Sequence, residues 1–394
     1  MEYNLVAEKI RSAKENKELY YLMRKDVPVL IFSMVKSGDT VTGLKVEDVF
    51  DNERLPVQMK NGMNINKYIE RRFIPKNREN AKVLRHLIRR VDGRYDVGKL
   101  IEYTKSVSLT DDFWTKEVNS QDTWGDINVF TNRFDETLSR IAFTGYGSDS
   151  EIALFSSPEF STNGTLRKAW RKRKDGIFLY KAGTDGFANS GNEPYSEFYA
   201  CQLLEAMHIP CIKYDLEMWE GRLCSVCKLF TSEEYSLIPA SALYERDYTH
   251  WLDRIKEGVG DEEIESIKDM IAFDALANNT DRHFNNFGVL QNNETFELEG
   301  RISVVYDNGL SLFYNEMERD FTSEYDRLLN ETSLFTHDTS FVQISEFIGK
   351  RQKDKLHKLI NFKFERHPKY NLPEWRLKTL EWLLQERLRI MLSM

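Results

Sequence analysis

A chain of 394 residues has the length for a large buried core and two or three lobes. With 41% hydrophobic and 30% charged residues it has an ordinary globular composition, and a net charge of −8 argues against a general attraction to nucleic acid. No apolar run approaches the roughly 20 residues that cross a bilayer, and Met1-Glu2-Tyr3-Asn4 opens neither a basic nor an apolar leader, so a cytoplasmic location is expected.

In chain order, Val27 to Phe32 reads as a strand, and Val41 to Val49 extends the same sheet. Between Asn64 and Lys105 twelve basic residues stand against five acidic ones, in a largely helical pattern that includes Val83, Leu84, Leu87 and Ile88. A basic helix can meet phosphate-rich partners. A solvated face is the commoner use, and direct nucleic-acid contact is not expected from so acidic a chain. Ser108 to Trp114 reads as a loop anchored by aromatics. Residues 1–145 thus form a mixed α/β region of uncertain role, with no repeat or low-complexity tract.

From residue 146 the texture changes. Ser161-Thr162-Asn163-Gly164-Thr165-Leu166-Arg167-Lys168 is a small-residue turn that opens into a basic stretch. Its glycine can present backbone N–H groups to phosphate, although the spacing matches neither common glycine-rich phosphate motif. Ile177 to Lys181 reads as a strand, with Lys181 on the face of Ile177 and Leu179. A lysine there needs a partner or an anionic ligand, unless it snorkels to the surface. Glu193 and Glu197 open a helix running to about Met207. Ile212 to Trp219 and Arg222 to Phe230 pair as a hairpin about Glu220-Gly221. Cys224 and Cys227, three apart on that strand, point to opposite faces, so zinc binding is not expected. Lys228 to Ser236 would connect two lobes, which puts domain boundaries at 146–235 and 236–394.

The most informative stretch follows. A helix with Ile264, Ile267, Ile271 and Ala275 at helical spacing precedes Asn278-Asn279-Thr280-Asp281-Arg282-His283-Phe284-Asn285-Asn286-Phe287-Gly288. A second acid, Asp307, stands in Val304-Val305-Tyr306-Asp307-Asn308-Gly309. Phosphoryl transfer needs an acid near the attacking hydroxyl and oxygen ligands for Mg²⁺; Asp281, Asn286 and Asp307 supply such groups. A capped turn would also use Asn and Asp, but does not ask for the whole set in this order. Beyond Asp307 the chain reads as mostly helical, ending on Leu377, Leu380, Leu384, Leu388 and Met391 at core spacing.

With these parts in order, residues 150–394 resemble the HipA-like serine/threonine protein kinases. The resemblance is carried by Asn279-Thr280-Asp281-Arg282-His283 with Asn286, by Tyr306-Asp307, by Ser161-x-x-Gly164-x-x-x-Lys168, and by Lys181 with Glu197. The first 145 residues resemble the amino-terminal part of a group of HipA-like proteins from Gram-positive bacteria. The resemblance implies an α+β, two-lobed kinase-like fold with a mainly helical C-terminal lobe, using ATP and Mg²⁺. Asp281 would be the catalytic base, with Arg282 and His283 in the catalytic loop, and Asn286 and Asp307 would hold metal. Ser161, Thr162, Asn163, Gly164 and Lys168 would form the phosphate loop. Lys181, oriented by Glu197, would contact the α- and β-phosphates. Lys228, Leu229 and Phe230 would form the adenine-contacting hinge. Ser161 matches the position at which HipA-type kinases phosphorylate themselves, and an antitoxin-like protein is the partner class implied, with a protein serine or threonine as substrate.

Two departures stand out. Asp307 is followed by Asn308-Gly309, so the phenylalanine of the usual Asp-Phe-Gly is missing, and Arg282 follows the catalytic acid instead of preceding it. That order also occurs in phosphatidylinositol kinases, which keeps a lipid-kinase reading open; a non-catalytic nucleotide-binding interaction protein is the third reading.

Overall fold

The computed structural model describes residue 6 and residues 18–93, 96–147, 157–186, 191–243, 260–298 and 304–394; the Met1–Asn4 stretch read above lies outside them. The chain divides into two compact units, Met1–Leu179 with Thr231–Leu237 and Asn292–Glu297, and Tyr180–Phe230 with Ile238–Gln291 and Leu298–Met394. The division at 179/180 differs from the boundaries at 145 and 235 expected from the sequence.

The first unit is built on strands β1 (Leu19–Arg24), β2 (Val27–Ser37), β3 (Thr40–Val49) and β4 (Phe113–Glu117), all antiparallel in the order β3-β2-β1-β4. Val29 to Met34 are buried in succession, as expected of a strand covered on both faces. Helices α1 (Ile65–Glu70), α2 (Ala81–Asp92), α3 (Val97–Thr104) and α4 (Glu136–Thr144) pack Ile69, Leu84, Ile88, Ile101 and Leu138 against Leu22, Leu30 and Phe32. The loop read at Ser108–Trp114 ends sooner than expected, because Phe113 and Trp114 are already in β4.

Strands β5 (Lys168–Arg173), β6 (Gly176–Ala182), β7 (Tyr214–Trp219) and β8 (Arg222–Lys228) form a sheet in the order β5-β6-β8-β7, and the division between the units falls within β6. The β7–β8 hairpin pairs Trp219 with Arg222. Its two turn residues, Glu220 and Gly221, have φ of 46° and 74°, the left-handed pair that a two-residue hairpin requires.

The second unit continues with α5 (Glu193–Ala206), β9 (Tyr235–Pro239), whose last residues belong to it, and α6 (Asp261–Ala277). Asp261, Glu262 and Glu263 fill the first turn of α6, where the helix dipole favours acids. Its last turn is pinned by a fully buried arginine: Arg387 Nε donates to Leu276 O at 3.1 Å and Nη2 to Ala275 O at 2.6 Å. Those carbonyls, orphaned at a helix end, need such donors. Arg387 sits on α8 (Glu374–Ser393), between α7 (Lys350–His357) and the chain end, and α8 buries Leu377, Leu380, Leu384, Leu388 and Met391 as read from the sequence. The expectation of a mostly helical stretch after Asp307 missed the antiparallel pair Glu331–Leu334 and His337–Ser340. No helix among the described residues is long and apolar enough to cross a membrane.

Candidate active site

The second unit turns the end of α6 into a polar loop. Asn278 closes the helix with φ of 51° in the left-handed conformation that asparagine tolerates. Buried Asn279 then works in two directions, donating from Nδ2 to Asp274 Oδ1 at 2.9 Å and accepting from Asp281 N at 3.1 Å. His283 N donates to Asp281 O at 2.8 Å, and Asn286 Nδ2 donates to the same carbonyl at 2.8 Å. Asp281 is therefore held at the head of a compact turn with its side chain half-exposed.

Arg282 is the tie beneath this turn, and its side chain is fully buried. Nε donates to Asp274 Oδ2 at 2.9 Å, and Nη2 reaches Asp274 Oδ1 at 3.0 Å and Asn308 Oδ1. Nη1 donates to Asn286 O at 2.9 Å and to Tyr306 O at 2.5 Å. All five donors of the guanidinium are used. With no donor left and no exposure, Arg282 holds in place the loop to which the sequence assigned it. One nitrogen, Nη1, bonds the carbonyls of Asn286 and Tyr306 together, which sets the two segments expected to hold metal side by side. His283 is half-exposed and accepts from Asn285 N at 3.2 Å through Nδ1, a contact that shapes the turn.

The second part is a buried ion cluster. Lys181 Nζ donates to Glu197 Oε1 at 2.8 Å and to Asp307 Oδ1. Glu197 Oε2 accepts from Asn308 N at 2.7 Å, so the glutamate fixes the lysine and the segment after Asp307 together. Asp307 has φ of 57°, uncommon for a residue with a side chain, and its N–H donates to Tyr214 Oη at 3.2 Å. The Glu197 side chain is fully buried and that of Lys181 10% exposed, whereas that of Asp307 is 35% exposed. Asp307 is therefore the most solvent-accessible member of the cluster.

The charges are unequal in consequence. Burial disfavours the Lys181 ammonium, but Asp307 and Glu197 outweigh it and raise its pKa above the usual lysine value. Burial likewise raises Glu197 against the pull of Lys181. Asp281 is raised chiefly by burial; His283 opposes the shift, and the negative charge of Asp307 adds to it. An acid made more basic by its surroundings is better suited to accept a proton.

Lys228 is exposed at the end of β8, with half-buried Leu229 and Phe230 after it; the Phe230 ring lies 5.4 Å from that of Tyr306. Cys224 and Cys227 share β8, and burial pushes the Cys227 thiol up to about 12, the state of an unreactive cysteine. The expected phosphate loop belongs to the first unit. There Ser161 and Thr162 are buried, their hydroxyls donating to Pro158 O at 3.2 and 2.6 Å, while Asn163, Gly164 and Thr165 are exposed. Gly164 has φ of 94°, a conformation that favours glycine, and the Lys168 ammonium lies close to where a Cβ would stand.

Among the described residues no group of three or more His, Cys, Asp or Glu side chains is arranged to hold a metal ion. Asn286 and Asp307 fit a different case. They offer a carbonyl and a carboxylate oxygen, and Mg²⁺ commonly takes one or two such ligands and completes its shell with phosphate and water. The sequence reading missed Asp274, Asn308 and Tyr214. Asp274 had a signal, since it is the single charge in the apolar run Met270 to Ala277.

No protein-family model matches the chain, and no curated protein matches it either. Among solved structures, the chain is similar to the proinflammatory kinase CtkA of Helicobacter pylori, with 17% identity and a TM-score of 0.45 over 57% of this chain and 93% of that one. It is also similar to the complex of the Shewanella oneidensis MR-1 toxin–antitoxin system HipA, HipB and operator DNA, with 11% identity and a TM-score of 0.49 over 96% of this chain and 98% of that one.

Proposed function

We propose that the chain is an ATP- and Mg²⁺-dependent serine/threonine kinase of the HipA-like type, with residues 146–235 as the smaller lobe and 236–394 as the helical lobe. One observation carries the reading: a buried lysine held by a buried glutamate faces a half-exposed aspartate, on a segment tied by Arg282 to the loop of Asp281 and Asn286. A structural ion pair needs one acid; this lysine has two, and the exposed one is poised to exchange its partner. When Mg-ATP binds, it supplies the γ-phosphoryl group and the cation. Asp307 and Asn286 would then turn their oxygens to Mg²⁺, and Lys181, still held by Glu197, would turn to the phosphates. Asp281 accepts the proton of the attacking hydroxyl as the new O–P bond forms and the bond to the ADP oxygen breaks. An antitoxin-like protein is the partner class this reading implies.

The test is incubation with labelled ATP and Mg²⁺, alone and with cell extract, for the wild type and Asp281→Ala, followed by mass spectrometry. Label on protein serine or threonine, Ser161 included, that disappears in Asp281→Ala is expected. Label extracted into lipid with none on protein would replace this reading with that of a lipid kinase. Binding of ATP without transfer to anything would leave an interaction protein.

A further inference from the structure

The first unit contains a short segment, residues 74–79, that belongs to the N-terminal region and has no part in the reading above. It runs as turns between α1 and α2. Its donors converge on residues 159–168. Ile74 N donates to Phe160 O at 2.6 Å and Glu79 N to Thr165 O at 2.9 Å. Arg78 Nη1 donates to Glu159 O at 3.2 Å and Thr162 O at 3.1 Å, and Nη2 to Lys168 O at 2.5 Å and to Glu159 Oε2 at 3.4 Å. Arg167 Nε adds a return bond to Glu79 Oε1 at 2.6 Å. The Arg78 and Glu159 side chains are both fully buried. Glu159 is anchored in turn by Trp170 N, which donates to its Oε1 at 2.7 Å.

The direction of these bonds matters more than their number. A trans peptide points its N–H opposite to its carbonyl. Arg78 draws in the carbonyl of Thr162 and Glu79 that of Thr165, so the next N–H groups, of Asn163 and Leu166, are turned away from the 74–79 segment. Among the described residues neither has a backbone or side-chain acceptor. They flank Gly164, beside the Lys168 ammonium. N–H groups turned to one side of a glycine turn are what an anion needs.

We propose that residues 74–79 are the scaffold of the phosphate loop and that Arg78 is its positioning residue, holding the loop carbonyls back so that the loop N–H groups face the phosphates of ATP. The assignment rests on the kinase reading and gives the N-terminal region a share in nucleotide affinity. Arg78→Lys keeps a cation opposite Glu159 but cannot reach three carbonyls at once. In the ligand-free full-length protein, the amides of residues 159–168 should exchange hydrogen faster in Arg78→Lys, with exchange in β1–β4 unchanged. By calorimetry, Mg-ATP should bind about tenfold more weakly, the equivalent of roughly two neutral hydrogen bonds, while adenosine, which has no phosphates, should bind as in the wild type.

Wild-type loop exchange together with wild-type Mg-ATP affinity overturns the proposal, as does an equal loss for adenosine. If Arg78→Lys does not fold, Arg167→Ala removes the half-exposed link and should weaken Mg-ATP about twofold; unchanged affinity there also overturns it. A wild type that binds no Mg-ATP sinks the kinase reading separately. Loop exchange in Arg78→Lys then decides alone: faster exchange supports the scaffold, unchanged exchange overturns it.

Discussion

Each unit buries a cation beside a carboxylate, and the two are solvated in opposite ways. Arg78 of the first unit has one acid, Glu159, and spends its other contacts on backbone carbonyls of Glu159, Thr162 and Lys168. Nothing in that cluster can leave without the backbone leaving too. Lys181 of the second unit touches no such carbonyl in its cluster; it has two carboxylates, one fully buried and one 35% exposed. A planar, multiply bonded guanidinium fixes a shape, whereas an ammonium between two acids can trade one of them for a ligand. The contrast separates a buried charge that builds a site from one that works in it.

Arg282 extends the building class, and breaking it should have the largest effect. Arg282→Ala leaves Asp274 buried without its partner, which typically costs about 3–5 kcal/mol; urea unfolding should show this loss, and a variant as stable as the wild type would move Arg282 out of that class. Next comes Glu159, whose carboxyl is raised from 4.5 to about 7, first by burial and against the pull of Arg78. Its folded pKa lies above the unfolded one, so the stabilisation is full below pH 4.5 and is lost as pH rises through about 7. Glu159→Gln has no such proton to lose. Wild type should therefore lose about 3 kcal/mol relative to Glu159→Gln between acid and mildly alkaline pH, and parallel stability curves for the two would contradict it. The smallest effect in energy is the sharpest in kind. Lys181→Met should lower phosphoryl transfer about 100-fold with a smaller loss of stability than Arg282→Ala, because Asp307 is 35% exposed and stays solvated while the raised Glu197 can take a proton. A collapsed melting temperature with transfer intact would make Lys181 a structural pin like Arg78.

Much of this was legible in the sequence where local rules decide. The hairpin at Glu220-Gly221 follows from turn chemistry and α6 and α8 from apolar periodicity, while a lysine on an apolar strand face asks for a partner and only the family resemblance pointed to Glu197. What was not legible depends on partners far apart in sequence. Arg78 stands in a stretch of twelve basic residues against five acidic and reads there as one more solvated cation; only the fold brings Glu159 to it. The sequence placed Arg282 beside Asp281 but not its buried contacts with Asp274 and Asn308, since burial is not written in the motif. The hairpin of Glu331–Leu334 and His337–Ser340 escaped because its strands are four residues each, too short for alternation to show.

The first unit is not finished when its main segment ends. It also takes Thr231–Leu237 and Asn292–Glu297. Leu237 N donates to Thr110 O, and Thr231 Oγ1 to Leu109 O. Arg24 Nη2 donates to Asn293 Oδ1 at 3.3 Å, and the Arg24 guanidinium lies 4.3 Å from the centre of the Phe296 ring. During synthesis, at about 5–20 residues per second, the β1–β4 sheet would wait roughly 10 to 35 seconds for the last of the residues that complete it, while most of the second unit is also emerging. Ordered release of one finished unit after another is closed to this chain. A gene fragment stopping near residue 180 would leave Arg24 and the Leu109–Thr110 carbonyls without those partners, so the N-terminal region should travel through recombination only with the rest of the chain attached.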